Sequence, residues 1–246
     1  MAIPFDPAGG TDLAREALRL RPTPRPDGAI PDPRTRAGMP DLYAYARGLA
    51  EQKRREPADD VLSVFLAQEE RVPVEDVENL FWLFAVAGNE TLRNGLPGGM
   101  IALLEHPDAQ RELRADPSLL DRAVEELLRW WTPVMVFRRT ATRDTDLAGV
   151  GIAAGDKVVV SFTSANRDEA VFPDPDRFDV HREPGRSLVF GHGPHFCLGA
   201  VLARAQVRAL FAELLARTAW IEPAGPPALL RSSFQRGVKR LPVRWL

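Results

Sequence analysis

The chain holds a single cysteine, Cys197, within Phe190-Gly191-His192-Gly193-Pro194-His195-Phe196-Cys197-Leu198-Gly199. The reactive, metal-ligating form of cysteine is the thiolate, which needs positive potential nearby to hold its charge. An apolar-periodic segment begins just after this stretch, so Cys197 stands where a helix N-terminus supplies both the potential and free N–H groups. Gly191, Gly193 and Gly199 permit unusual dihedrals and let the backbone pass close to a flat ligand. Phe190 and Phe196 can form an apolar lid over the sulfur. These features suit a thiolate that ligates the metal of a flat cofactor, and three other readings stay open beside it. A zinc site from His192, His195 and Cys197 lacks a good fourth ligand nearby. A nucleophile paired with His195 lacks a local signature. A buried small hydrophobe leaves the glycines unexplained.

Other pairs have chemical potential at shorter range. Glu126 and Arg129 sit at i,i+3 and share a helix face, where a solvated pair contributes only a few tenths of a kcal/mol. In Ala87-Gly88-Asn89-Glu90-Thr91 a threonine hydroxyl facing its own backbone can open a local groove, and the adjacent acid can feed protons into it. An ordinary helical threonine beside a surface charge fits the same letters. Arg138 and Arg139 follow Phe137 on a predicted strand, where adjacent residues face opposite sides, so only one can serve a given site.

The elements that must position these groups are mostly helical. Eight of the 22 prolines fall before residue 41, and Arg21 to Pro26 can neither propagate a helix nor sit inside a sheet. Residues 1–40 therefore read as an irregular Pro-rich segment with one short helix over Thr11–Leu20, and residues 41–246 as the folded domain. Helices are predicted over Asp41–Glu56 and from Asp59 or Asp60 to about Gln68. A long helix should start at Pro73, with Glu75, Asp76 and Glu78 at its positive end, and run to His106. Gly95-Leu96-Pro97-Gly98-Gly99 should kink or break it. Ser118, with Asp121 three residues on, announces a helix whose apolar face is Leu120, Val124, Leu127, Leu128 and Trp131, stopped by Pro133. Val150–Ile152 and Val158–Phe162 flank a turn at Ala154–Lys157. Phe172–Gly185 is irregular. The last long helix, Leu198–Arg217, should turn Val201, Leu202, Ala205, Leu210, Phe211 and Leu214 inward, and the tail is loop and short strand. The fold class is mainly α with a minor β-sheet.

Composition narrows the function. With 45% hydrophobic and 27% charged residues and a net charge of −2, nothing draws the chain to nucleic acid or to an anionic membrane surface. The longest apolar run, Leu80–Ala87, is too short to span a bilayer. One cysteine forbids an internal disulfide, and the first ten residues lack the pattern of a secretory signal, so the expected location is cytoplasmic.

The cysteine stretch resembles the haem-binding loop of the cytochrome P-450 family, F-x-x-G-x-x-x-C-x-G, with Phe190, Gly193, Cys197 and Gly199 at every defined position. Glu126-Leu127-Leu128-Arg129 matches the family's E-x-x-R motif, and Arg177 stands where a third member of that buried structural pair is expected. The resemblance implies haem b with Cys197 as axial thiolate, whose electron donation favours O–O cleavage. It implies Thr91 and Glu90 as the oxygen-activating and proton-feeding residues, and Arg139 and His195 as propionate partners. Val134–Phe137, Val86–Ala87 and Phe234 would touch substrate.

The likeness begins near Asp41, and the family's longer N-terminal part has no counterpart in residues 1–40. The expected fold is thus the family fold lacking its N-terminal part, a truncated chain. Two functions follow. One is a haem-thiolate monooxygenase acting on a small organic substrate with electrons from a ferredoxin- or flavodoxin-type donor, which could dock on Arg182, Arg186, Arg204 and Arg208. The other is a non-catalytic haem binder, or a helper of a full-length homologue.

Overall fold

Pro40 occupies the first turn of a helix, where its missing N–H costs nothing. Asp41 follows it, and Lys53, Arg54 and Arg55 close the last turn, so charge matches the helix dipole at both ends of α1 (Pro40–Arg55). The computed structural model describes residues 35–68 and 72–246. The helix expected over Thr11–Leu20, and nearly all of the Pro-rich segment, lie outside the described residues.

The chain divides into two compact units, the first ending at Asn89 and the second beginning at Glu90. In the first, α1 buries Leu42, Tyr43, Ala46 and Ala50. Asp60 caps α2 (Val61–Leu66) by accepting from the Ser63 N–H at 2.9 Å. Lys53 holds the same carboxyl at 2.5 Å. This contact, followed by the Ser63 bonds, lowers the Asp60 pKa to about 2. Ala50, Val72 and Val77 form a small core with Leu62, Phe65 and Leu66. The long helix α3 (Val74–Glu105) starts with Glu75 and Asp76 at its positive end, as expected. Glu78 has a different job. Its side chain is fully buried and held by Arg36 Nε at 2.7 Å and Arg47 Nε at 3.0 Å.

The unit boundary falls inside α3, which runs unbroken through Gly95–Gly99 with Pro97 in its interior. The expected break does not occur because packing in the second unit holds this stretch. A Cβ on Gly98 would fall within 2.2 Å of the Trp131 indole, and one on Gly99 within 3.1 Å of Phe211. The glycines are there for close approach of neighbouring elements.

Next come α4 (Pro107–Ala115), a 3-10 turn over Pro117–Leu119, and α5 (Leu120–Trp131). Asp116 caps the turn, accepting from both the N–H and the hydroxyl of Ser118. Ser118 is therefore not itself the cap. Its hydroxyl is spent on Asp116. All five apolar residues expected on the inner face of α5 are buried.

Strands β1 (Val136–Thr140), β2 (Thr145–Leu147), β3 (Val150–Ile152) and β4 (Lys157–Ser161) follow. β2 pairs with β3 and β1 with β4, all antiparallel. The turn at Ala154–Lys157 thus does not join a β3–β4 hairpin. Gly155, at φ 92°, instead steers the chain back to β1. A single turn, α6 (Phe162–Ala165), precedes the irregular run over Phe172–Gly185.

The last helix, α7 (Ala200–Arg217), begins two residues later than expected and buries Ala200, Val207 and Phe211. Val201, Leu202, Ala205 and Leu210 face solvent instead of the core. Strands β5 (Ile221–Pro223) and β8 (Val243–Trp245) pair, as do β6 (Ala228–Leu229) and β7 (Val238–Arg240). The main core joins Met100 and Leu103 of α3, Leu113 of α4, Leu127 of α5 and Phe211 of α7 to Phe178, Val180 and Ile221. The class is mainly α with small sheets. Among the described residues no helix is long and apolar enough to cross a membrane.

Candidate functional site

The cysteine loop is closed by its own backbone. Gly191 N–H donates to Leu188 at 2.9 Å, Phe196 N–H to Gly193 at 2.9 Å, and Cys197 N–H to the Phe190 carbonyl at 2.9 Å. Gly191 and Gly193 take φ of 73° and 69°, left-handed values that explain glycine at both positions. Gly193-Pro194-His195 form a 3-10 turn. Gly199 is the N-cap of α7, and the Ala200 N–H donates to the Cys197 carbonyl at 3.2 Å. Cys197 is exposed. The two phenylalanines differ: Phe190 packs against the main core, whereas Phe196 is on the surface, with ring centroids 6.4 Å apart. Arg204 stacks on Phe190, 4.4 Å from its centroid, and pairs with Glu125. The Glu125 bond raises the Arg204 pKa, with Cys197 as a smaller electrostatic contributor.

Behind the loop lies a buried ion network. Arg129 donates to both oxygens of Glu126, at 2.7 and 2.8 Å, and both side chains are nearly inaccessible. The third member is Arg182, whose Nε donates to Glu126 Oε2 at 3.1 Å. Arg177, expected in this role, lends only its backbone carbonyl, to Arg182 at 2.9 Å and Arg129 at 3.5 Å. The proposed docking cations are mostly engaged: Arg182 with Glu126, Arg204 with Glu125 and Arg208 with Asp121.

On α3, Glu90 is half-buried and accepts from Arg93 at 3.1 Å and from Asn94 Nδ2 at 3.2 Å. The same Asn94 nitrogen donates to Gln235 Oε1 at 2.8 Å, linking Glu90 to the C-terminal segment. Neither Asn94 nor Gln235 was legible in the sequence, because 141 positions separate them. Thr91 lies one residue on, also half-buried. Val134 bridges Gln235, Met135 N–H donates to the Phe234 carbonyl, and the Phe137 and Phe234 rings stand 5.7 Å apart. The structure therefore brings together Val134–Phe137 and Phe234. Val86 and Ala87 belong to the first unit, where both are exposed on α3. Arg139 shares the Phe137 side of β1, with its guanidinium 5.8 Å from that ring, and is exposed.

The donor set around Cys197 fits a haem rather than a closed zinc site. Among the described residues no three His, Cys, Asp or Glu side chains gather to hold a metal ion. Four apolar residues flank the exposed sulfur within one short stretch: Phe196, Leu198, Val201 and Leu202, exposed by 52%, 78%, 81% and 50%. Such a surface is suited to a large apolar ligand. His195 and Arg139 are exposed donors able to bind carboxylates.

Comparison with known proteins agrees with this reading. The family model for cytochrome P-450 matches residues 114–240. A methyl-branched lipid omega-hydroxylase of Mycobacterium tuberculosis is 44% identical over 210 residues, which cover 83% of this chain and 49% of that protein. Cytochrome P-450-terp of a Pseudomonas species is 37% identical over 207 residues, covering 83% and 48%. Among solved structures, P450BioI in complex with an acyl carrier protein ligated to hexadec-9Z-enoic acid superposes with a TM-score of 0.80 at 34% identity, covering 85% of this chain and 54% of that one. CYP109E1 from Bacillus megaterium, in complex with testosterone, gives 0.79 at 35% identity, covering 83% and 58%. The chain spans about half the length of the curated relatives it matches.

Proposed function

The chain belongs to the cytochrome P-450 family, and on that premise we propose that residues 41–246 form the haem-thiolate portion of a monooxygenase. The reaction inserts one atom of dioxygen into a small organic substrate, using electrons from a ferredoxin- or flavodoxin-type donor. The observation that carries the reading is the exposed Cys197 on a glycine-shaped loop, flanked by exposed Phe196, Leu198, Val201 and Leu202. The family implies haem b as the cofactor, and when bound it supplies the iron at which dioxygen is activated.

The rest falls to the chain's own residues. The Cys197 Sγ, just ahead of the N-terminus of α7, would be the thiolate ligand that holds the haem iron. The left-handed Gly191 and Gly193 shape the loop that carries the sulfur and would leave room there for a flat ring. His195 and Arg139 would hold the haem propionates. Glu90, steadied by Arg93 and Asn94, takes protons from the solvent side at its carboxylate, and the Thr91 hydroxyl passes them inward. Val134–Phe137 and Phe234 form an apolar wall against the substrate.

The test is the ferrous carbon monoxide difference spectrum of the haem-loaded chain. A thiolate-type spectrum is expected, lost in Cys197→Ser; failure to retain haem overturns the reading. Supplying electrons then separates a monooxygenase from a haem binder that does not turn over. In the first case Thr91→Ala consumes oxygen with little product, and in the second neither chain forms product.

A further inference from the structure

Asn166 is fully buried, and every polar atom of its carboxamide is used. Its Oδ1 accepts from the Leu188 N–H at 2.7 Å and from the Ser187 hydroxyl at 3.2 Å, filling both lone pairs. Its Nδ2 donates to Thr132 Oγ1 at 3.0 Å, and that hydroxyl donates onward to the Arg129 carbonyl at 2.6 Å. The Asn166 carbonyl accepts from Arg129 Nη1 at 2.7 Å. One side chain thus joins the C-terminus of α5, the Glu126–Arg129 pair and the segment that leads into the cysteine loop.

The segment needs such a partner. Residues 182–188 belong to no helix or strand, so the Leu188 N–H has no ladder to enter, and leaving it buried and unpaired is costly. Leu188 is also where the loop closes, because its carbonyl accepts from Gly191. Two residues on, the Phe190 carbonyl accepts from the Cys197 N–H. A continuous run of bonds therefore leads from Arg129 through Asn166 and Leu188 to the turn that carries the sulfur. At the other end Thr132 takes a left-handed φ of 47°, which a β-branched residue adopts only when held. Its two hydroxyl bonds hold it.

We infer that Asn166 is a positioning residue for the Cys197 loop, fixing Ser187 and Leu188 to the frame set by Glu126 and Arg129. This rests on the haem-thiolate reading of Cys197. The role calls for a fixed sulfur, since a loop that wanders would not hold Sγ in one place for the haem iron.

The experiment compares ferrous carbon monoxide difference spectra of the haem-loaded native chain, Asn166→Ala and Gln110→Ala. Gln110 is the control. It is equally buried, and its carboxamide likewise makes three bonds, two with the Ile221 backbone at 3.0 Å and one from Arg114 at 3.1 Å, but it has no bond to the loop. Asn166→Ala is expected to lose most of its thiolate-type absorbance, while Gln110→Ala keeps the native spectrum despite its own loss of stability. Equal thiolate content in the two variants overturns the inference. Should Asn166→Ala not fold, Ser187→Ala, which removes one of the two donors on Oδ1, is expected to shift in the same direction by less. A native spectrum there overturns the inference as well. A native chain that binds haem without a thiolate spectrum contradicts the reading of Cys197 itself and the inference with it. A thiolate spectrum unaffected by Asn166→Ala removes the inference alone.

Discussion

Two glutamates with no appreciable exposure, Glu78 and Glu126, are each held by a pair of arginines, and the two clamps are built differently. At Glu78 the arginines come from outside: the Arg36 and Arg47 side chains are 48% and 51% exposed. A groove of about 390 Å³ lined by Arg36, Tyr43, Arg47 and Glu51 opens beside that carboxylate. At Glu126 the ions are sealed in, with Arg129 exposed by only 2% and Arg182 by 12%. Arg129 then spends its remaining donors on the carbonyls of Asn166 and Pro175. Water can replace a lost partner in the first clamp and cannot in the second. The Glu78 clamp therefore fastens α1 to α3, whereas the Glu126 clamp acts as a rigid frame from which other parts, Asn166 and the loop beyond it, take their positions.

The sharpest way to break this comparison is to remove each glutamate in turn. Glu126→Ala leaves a buried guanidinium uncompensated and is expected to cost about 3–5 kcal/mol of stability, measured by denaturant unfolding of the haem-free chain. A loss no greater than that of Glu78→Ala would contradict the distinction. Next in size, Glu78→Ala should give a smaller loss, and one that shrinks as salt rises, because half-exposed arginines are screened. A salt-independent loss would mean that clamp is as sealed as the other.

The smallest effect concerns Asp60, whose carboxyl lies well below its usual value, at about 2, chiefly through Lys53. A depressed folded-state pKa means the contribution is complete above the unfolded carboxylate value, near 4, and disappears as pH falls through about 2. Asp60→Asn should therefore lower stability at neutral pH and become indistinguishable from the native chain at the acid end of that window. Thermal unfolding at several pH values reads it, and a difference that does not change with pH would show that the cap alone, without charge, accounts for it.

What the sequence made legible was local. Helix α5, its apolar face and the i,i+3 pair of Glu126 and Arg129 follow from periodicity within a dozen residues. The cysteine loop could be read because its glycines, aromatics and sulfur lie within ten positions. The missed features depend on distance along the chain. Arg182 reaches Glu126 across 56 positions, and nothing in its neighbourhood distinguished it from Arg177. Asn166 meets Leu188 across 22 positions, and no motif around it in the sequence marked it. Helix α3 continues through Pro97 because Trp131 and Phe211 pack on its glycines, a tertiary effect that outweighs local propensity. Likewise Val201 and Leu202 match the spacing of an inward face but lie outward, on the surface assigned to the cofactor.

The assignment of that surface turns on a single bond, between Cys197 Sγ and iron. X-ray absorption at the iron edge of the haem-loaded chain measures it directly. One sulfur ligand is expected in the native protein, replaced by a lighter atom in Cys197→Ser. Iron coordinated by nitrogen and oxygen alone in the native chain would contradict the assignment.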